Sequence, residues 1–327
     1  MKRNFFRKGI AILTLAFIPV VSSCSDDDNE QMPQGNTIVD IASSNANLSL
    51  LVDALDRADL AATLDGNGSF TVFAPTNQAF TAFLQQKGFA NLDAVPVPVL
   101  KEILLNHVIS GAVTSSSLTT GYVKTMAKGS ASSTNTLSMY INTANGVVIN
   151  GGAANGGATV TTADVMASNG VVHIVGNVID LPTVTSHAIA NPDLSILVQA
   201  LTRNDQPDFA GILSGTQNSP FTVFAPTNSA FASLLTELNL TGLSQIPQAT
   251  LENTLKYHVV AGQNILAASL MNNMSVTTFQ GSNFTVNLQG GASIRDANGR
   301  VSTITATDIQ ASNGVVHVIN KVLLPPM

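Results

Sequence analysis

Apolar and polar positions alternate along the chain in two rhythms, and both rhythms come round twice. Leu48, Leu51, Val52 and Leu55 fall at i, i+3, i+4 and i+7, which lays one apolar stripe along a helix. Leu194, Leu197, Val198 and Leu201 repeat that spacing. A short run rich in Phe, Thr and Val follows each stripe, at Phe70–Ala74 and Phe221–Ala225, and reads as a buried strand. Pro75 stops the first strand, and Thr76 is placed as the N-cap of the next helix, its hydroxyl accepting a backbone N–H; Thr227 holds the matching place. That helix turns Phe80, Phe83 and Leu84 inward and stops at Gly88. A third helix starts near Pro98 with Leu100, Ile103, Leu104 and His107 at helical spacing, and Leu251, Leu255 and His258 do the same in the second half.

Each half then changes character. Alternation rich in Thr, Val, Asn and Gly implies several short strands. Asn169-Gly170 and Asn313-Gly314, each between apolar runs, predict tight two-residue hairpin turns, since Asn and Gly tolerate positive φ. Gly151 to Gly157 lacks a following helix and reads as a flexible loop between strands. Helices first and strands later predict an α+β fold.

The two halves are copies. Phe70-Thr71-Val72-Phe73-Ala74-Pro75-Thr76-Asn77 recurs as Phe221-Thr222-Val223-Phe224-Ala225-Pro226-Thr227-Asn228. His107 recurs as His258, and Ala167-Ser168-Asn169-Gly170-Val171-Val172-His173 recurs as Ala311-Ser312-Asn313-Gly314-Val315-Val316-His317. The motifs keep their order while their spacing shifts slightly, so a whole domain was duplicated and its loops changed length. The expected boundaries are a first domain at 37–182 and a second at 184–327.

Composition sets the address. The 327 residues are 45% hydrophobic but only 10% charged, with a net charge of -6, so there is no electrostatic footprint for nucleic acid. Lys2, Arg3, Arg7 and Lys8 precede the apolar stretch Gly9–Val21, which is shorter than the roughly 20 residues of a membrane-spanning helix and reads as a signal peptide over 1–23. Val21-Ser22-Ser23-Cys24 resembles a bacterial lipobox, which implies acylation of Cys24 and anchoring through its lipid; the plainer reading is a spare thiol beside a cleavage site. Cys24 is the single cysteine, so an intrachain disulfide is impossible. Residues 24–36 form an acidic tether. Its Ser25, Asp26, Asp27 and Asp28 serve either as a solvated spacer or, by resemblance, as the surface-export signal of some Gram-negative lipoproteins. The expected location is the outer membrane, lipid-anchored and exposed at the cell surface.

The Thr-Val-Phe-Ala-Pro-Thr-Asn stretch and the Asn-Gly-Val-Val-His stretch, each present twice around a central His, resemble the fasciclin family over about residues 37 to 327. The resemblance implies two tandem domains, each a wedge of β-strands packed with several α-helices, acting without a cofactor as an extracellular adhesion or matrix module. It also points to Tyr257-His258 as a possible adhesion motif, because a Tyr-His pair among branched aliphatics carries that role in some animal members. The first half has Asn106-His107 instead, and the Tyr is missing.

His107, His173, His258 and His317 form the repeated constellation. Each sits on an apolar helix face or follows two Val residues in a strand, so a buried, hydrogen-bonded structural role is expected for all four. No metal-ligand spacing surrounds them, and Asp164 and Asp308 read as turn or strand-end hydrogen-bonders. Nucleophile-elbow, zinc-protease and phosphate-loop motifs are missing from the sequence. With Trp at 0 and Tyr at 3, an aromatic sugar platform is disfavoured and a polar one stays open. The expected function is therefore adhesion to a host, matrix or neighbouring-cell ligand, protein or polysaccharide, and not catalysis. The rival is a small-molecule- or glycan-binding lipoprotein, or an enzyme with a cleft near the repeated histidines. Oligomeric state and ligand identity are not legible.

Overall fold

The computed structural model describes residues 35–66 and 68–326. The signal peptide, Cys24, Ser25, Asp26, Asp27 and Asp28 lie outside the described residues.

The first repeat opens with three short helices, α1 (Ile38–Ser44), α2 (Ser49–Arg57) and α3 (Ala61–Asp65), and then strand β1 (Phe70–Pro75). Helices α4 (Asn77–Lys87) and α5 (Val97–Asn106) follow, and the remainder is strand: β2 (Val108–Ser110), β3 (Gly121–Lys124), β4 (Ser138–Asn142), β5 (Val148–Ile149), β6 (Ala158–Ala167) and β7 (Gly170–Val175). The second repeat runs in the same order. Its helices are α6 (Val184–Ala190), α7 (Ser195–Leu201) and α8 (Phe209–Ser214) before β8 (Phe221–Pro226), then α9 (Asn228–Glu237) and α10 (Gln248–Tyr257). Its strands are β9 (Val259–Val260), β10 (Ser275–Thr277), β11 (Asn283–Asn287), β12 (Ser293–Arg295), β13 (Val301–Ala311) and β14 (Gly314–Ile319).

Each repeat builds one seven-stranded sheet, β2-β1-β7-β6-β5-β4-β3 and β9-β8-β14-β13-β12-β11-β10. The early strand and the last strand are parallel neighbours, with Phe73 opposite His173 and Phe224 opposite His317. All other pairs are antiparallel. Both faces of β1 are covered, which is why Thr71 to Pro75 are all buried and no charged residue interrupts the strand. Val72 and Ala74 pack with Leu51, Leu55, Phe80, Leu100 and Leu104 under the helices. Phe73 faces the other way, into a second core with Ile109, Met139, Ile141, Ile149, Val175 and Ile179. The second repeat has the same two-sided arrangement, Val223 and Val316 on the helical side and Phe224 with Phe284, Val286 and Ile294 on the other. Register shifts in β6 and β13 let the long strand bend around that second core.

The hairpins at Asn169-Gly170 and Asn313-Gly314 exist, but for a different reason than turn chemistry. Ala167 pairs with Gly170 and Ala311 with Gly314, so the two turn residues are Ser168-Asn169 and Ser312-Asn313. Glycine is needed because a Cβ at Gly170 would stand 2.0 Å from the Phe70 carbonyl oxygen, and one at Gly314 would stand 2.2 Å from that of Phe221. Each Asn reaches out to hold the start of its repeat. Asn169 Oδ1 accepts the Ile38 N–H (2.9 Å), and its amide donates to the carbonyls of Leu64 (2.6 Å) and Gly66 (3.2 Å). Asn313 does the same with Val184 (3.0 Å), Leu213 (2.8 Å) and Gly215 (2.9 Å).

The Gly151–Gly157 run joins β5 to β6 but is packed, not loose. It holds a short 3-10 turn at Ala153–Asn155, and a Cβ at Gly157 would lie 1.9 Å from the Ile149 carbonyl oxygen. Asn155 donates to Asn150 O (2.9 Å) and, across the junction, to Ser186 O (2.8 Å).

Candidate functional site

His107 caps α5 and His258 caps α10, and both rings are buried. Nδ1 lies 2.7 Å from the carbonyl oxygen four residues earlier, Ile103 in one repeat and Thr254 in the other. A carbonyl only accepts, so Nδ1 carries the proton and Nε2 is left to accept. It accepts the Ile179 N–H (2.8 Å) in the first repeat and the Leu323 N–H (2.9 Å) in the second. Each imidazole thus ties a helix end to the closing segment of its own repeat. Burial pulls both pKa values down to about 4, against the weaker opposing pull of the carbonyl and of Asp180 or Asp296.

His173 and His317 adopt the other tautomer. Nε2 donates to Val113 O (3.0 Å) and Ile265 O (2.8 Å), while Nδ1 accepts the N–H of Asp164 (3.2 Å) and Asp308 (3.4 Å). The rings stack on Phe73 and Phe224, with centroids 5.5 and 5.3 Å apart. Asp164 and Asp308 sit at the strand irregularities with φ of 61° and 57°, a conformation Asp tolerates better than most residues. Their carboxylates are spent locally. Asp164 accepts from the Ser115 N–H (2.7 Å) and hydroxyl (2.5 Å), Asp308 from the Ala267 N–H (2.8 Å).

Thr76 and Thr227 cap their helices, accepting the N–H of Ala79 (3.2 Å) and Ala230 (3.3 Å). The neighbouring Asn77 and Asn228 were not singled out by sequence reasoning, although they recur in the same motif. Asn77 Oδ1 accepts the Leu50 N–H (2.9 Å) and its amide donates to Ala46 O (2.9 Å); Asn228 repeats this with Ile196 (2.8 Å) and Pro192 (2.9 Å). Tyr257 is buried beside His258, its hydroxyl donating to Asn283 O (2.7 Å) and accepting the Ala297 N–H (3.2 Å). Neither side chain of the Tyr257-His258 pair reaches solvent, so a partner cannot touch this pair in the folded domain.

The four repeated histidines are therefore saturated and internal. The cavity beside His258 is apolar and about 20 Å³, room for at most a single water. Among the described residues no group of His, Cys, Asp and Glu is placed to hold a metal ion.

What faces outward differs between the repeats. The outer side of the β3–β4 hairpin docks on the second repeat. Lys124 Nζ donates to Asp308 O (2.7 Å), Gln310 N–H donates to Ser138 Oγ (3.0 Å), and the Tyr122 hydroxyl donates to His187 O (3.3 Å). The Tyr122 ring meets the edge of His187 at 5.6 Å and packs against the second repeat's helical core. His187 is buried there, with Nε2 donating to Gln310 O (3.1 Å). Burial holds its pKa at about 4, and the Lys124 ammonium pushes the same way.

Comparison with known proteins agrees with this duplication. A family model described as "Fasciclin domain" matches residues 46–182 and again 192–325. The Synechocystis protein sll1735 is 35% identical over 144 residues, 44% of this chain and 98% of that protein. Human periostin is 28% identical over 277 residues, 83% of this chain but only 30% of periostin. Among solved structures, a FAS1 domain pair from the insect cell adhesion molecule fasciclin I superposes with a TM-score of 0.53 at 19% identity. It covers 86% of this chain and 98% of that one, and the likeness is one of fold.

Proposed function

The chain belongs to the fasciclin domain family, and from that premise we propose that it is a cell-surface adhesion or binding protein and not an enzyme. The observation that carries this reading is the saturation of the repeated histidines. All four have both ring nitrogens committed to main-chain groups, so none is poised to move a proton for a substrate. The chemistry that the two repeats share is spent on holding the fold, and function is left to the exposed faces. The solved domain pair of the same fold comes from a cell adhesion molecule, and two linked modules add weak contacts on a repeated ligand.

Acylation of Cys24 anchors the chain to the outer membrane in this reading, and Ser25 with Asp26, Asp27 and Asp28 directs it to the cell surface. The rival cleft at the histidines has no support in the geometry, because the space beside His258 is apolar and about 20 Å³. Adhesion is tested with cells that display the full chain and cells that lack it, compared on surfaces coated with matrix proteins and polysaccharides. Displaying cells are expected to adhere more to at least one coating. Equal adhesion to every coating overturns the reading.

A further inference from the structure

The two repeats use one face of the sheet in different ways. Superposing the inward residues Val123 on Val276, Met139 on Phe284 and Ile141 on Val286, which occupy matching cross-strand registers, fixes the equivalence of the outward ones. Tyr122, Lys124 and Ser138 of the first repeat then correspond to Ser275, Thr277 and Asn283 of the second. The first set is a docking face, covered by the second repeat. The second set is exposed.

This open face forms a groove of about 450 Å³ walled by Asn273, Asn283, Thr285, Asn287 and Arg295. Ser275, Thr285 and Arg295 stand in one cross-strand row. The side chains of Asn273, Asn283, Thr285 and Arg295 have no hydrogen-bond or ion-pair partner among the described residues. Asp296 is the carboxylate at the groove, and it is buried and used up on the N–H groups of Asn298 (3.0 Å), Arg300 (2.9 Å) and Leu324 (3.0 Å). Of the two charged side chains at the groove, Arg295 is the exposed one and Asp296 the buried one.

The chemistry selects the occupant. Amides and hydroxyls that both donate and accept match a hydroxyl-rich ligand, and a guanidinium grips a carboxylate through two parallel hydrogen bonds. A protein partner would want an exposed aromatic or aliphatic anchor at the centre; Phe284, the aromatic at the groove, is buried in the core beneath it, and the exposed aliphatic of the row, Val301, stands beyond Arg295 at its rim. We propose that the β10–β12 face of the second repeat binds an acidic, uronate-bearing polysaccharide, with Arg295 on the carboxylate and Asn283 and Thr285 on ring hydroxyls. This rests on the adhesion reading and names its ligand class.

The test is calorimetric titration of the purified full chain with alginate oligosaccharides, and with dextran of equal length as the neutral counterpart. Alginate is expected to bind at least tenfold more tightly than dextran. Arg295→Ala is expected to weaken alginate binding about tenfold, Arg295→Lys to keep part of it, and Asn283→Ala to weaken it several-fold. Lys101→Ala, at an exposed site of the first repeat, is expected to change nothing. Equal affinity for the two polymers, no loss with Arg295→Ala, or an equal loss with Lys101→Ala overturns the proposal. If alginate binding is absent while displaying cells still adhere, the ligand class alone is wrong; if adhesion is absent as well, the functional reading falls with it.

Discussion

The ammonium of Lys124 in the first repeat donates to the main-chain carbonyl of Asp308 in the second, 2.7 Å away. The same ammonium holds Thr136 O (3.2 Å) and Ser138 Oγ (3.1 Å), so one cation binds its own hairpin and its neighbour's bulged strand. Burial lowers its pKa, and the Asp308 carboxylate opposes that shift. Removing the cation with Lys124→Met is expected to leave each repeat folded and loosen the pair, at a cost of about 1 to 2 kcal/mol for the lost charged hydrogen bonds. Faster limited proteolysis near Pro182-Thr183, with unchanged circular dichroism, is the signature. An unchanged cleavage rate would show that the other contacts of the junction, among them those of Tyr122, Gln310 and Asn155, hold it without the cation.

Acid should destabilise both repeats over a defined window. His107 and His258 have folded pKa values of about 4 against about 6.5 in the unfolded chain. Their neutral forms belong to the native state, so the full contribution is present above pH 6.5. It is lost as the pH falls toward 4, by roughly 3 kcal/mol for each ring. Melting temperature measured from pH 7 to pH 4 should fall through this interval. In His258→Gln the second repeat should start less stable and show a flatter dependence; an equally steep one would assign the effect to other groups.

Asn313 satisfies three main-chain groups from one buried side chain. Asn313→Ala leaves the Val184 N–H and the carbonyls of Leu213 and Gly215 to find new partners, and is expected to cost about 3 kcal/mol. Asn169→Ala should act likewise on the first repeat. Urea unfolding of each variant measures this, and a cost under about 1 kcal/mol would mean water replaces the amide freely.

The proposed anchor has its own check. Cys24→Ala should move the chain from the membrane fraction to the soluble fraction, and replacement of Asp26, Asp27 and Asp28 by Ala should protect it from protease added to intact cells. Retention in the membrane, or unchanged accessibility, would count against the lipid and the export signal respectively.

Helical stripes, the strand at Phe70, the Thr76 cap and the duplication were all legible, because each is a local pattern with one structural meaning. Helices α1 and α3 with their copies α6 and α8 were not, since they are short and their apolar contacts come from distant segments. The Asn-Gly pairs were recognised as hairpins for the wrong cause. Positive φ is a local property, whereas the clash that excludes a side chain at Gly170 comes from Phe70, at the far end of the repeat. The burial of Tyr257 escaped notice for the same reason: its hydroxyl partners, Asn283 and Ala297, lie well downstream. Nothing in the sequence distinguished Arg295 from other surface cations until the strands brought it beside Thr285.

Pairing β1 with β7, and β8 with β14, joins the early part of each repeat to its finish. The central sheet gains its parallel pair only after nearly the whole repeat has been made, so ordering is dominated by distant pairings and loop closure must precede reward. A repeat caught before that moment bares the unpaired edge of an apolar Phe-Thr-Val-Phe strand. Export through a membrane as an extended chain, with folding only afterwards, would spare such intermediates the crowded interior of the cell.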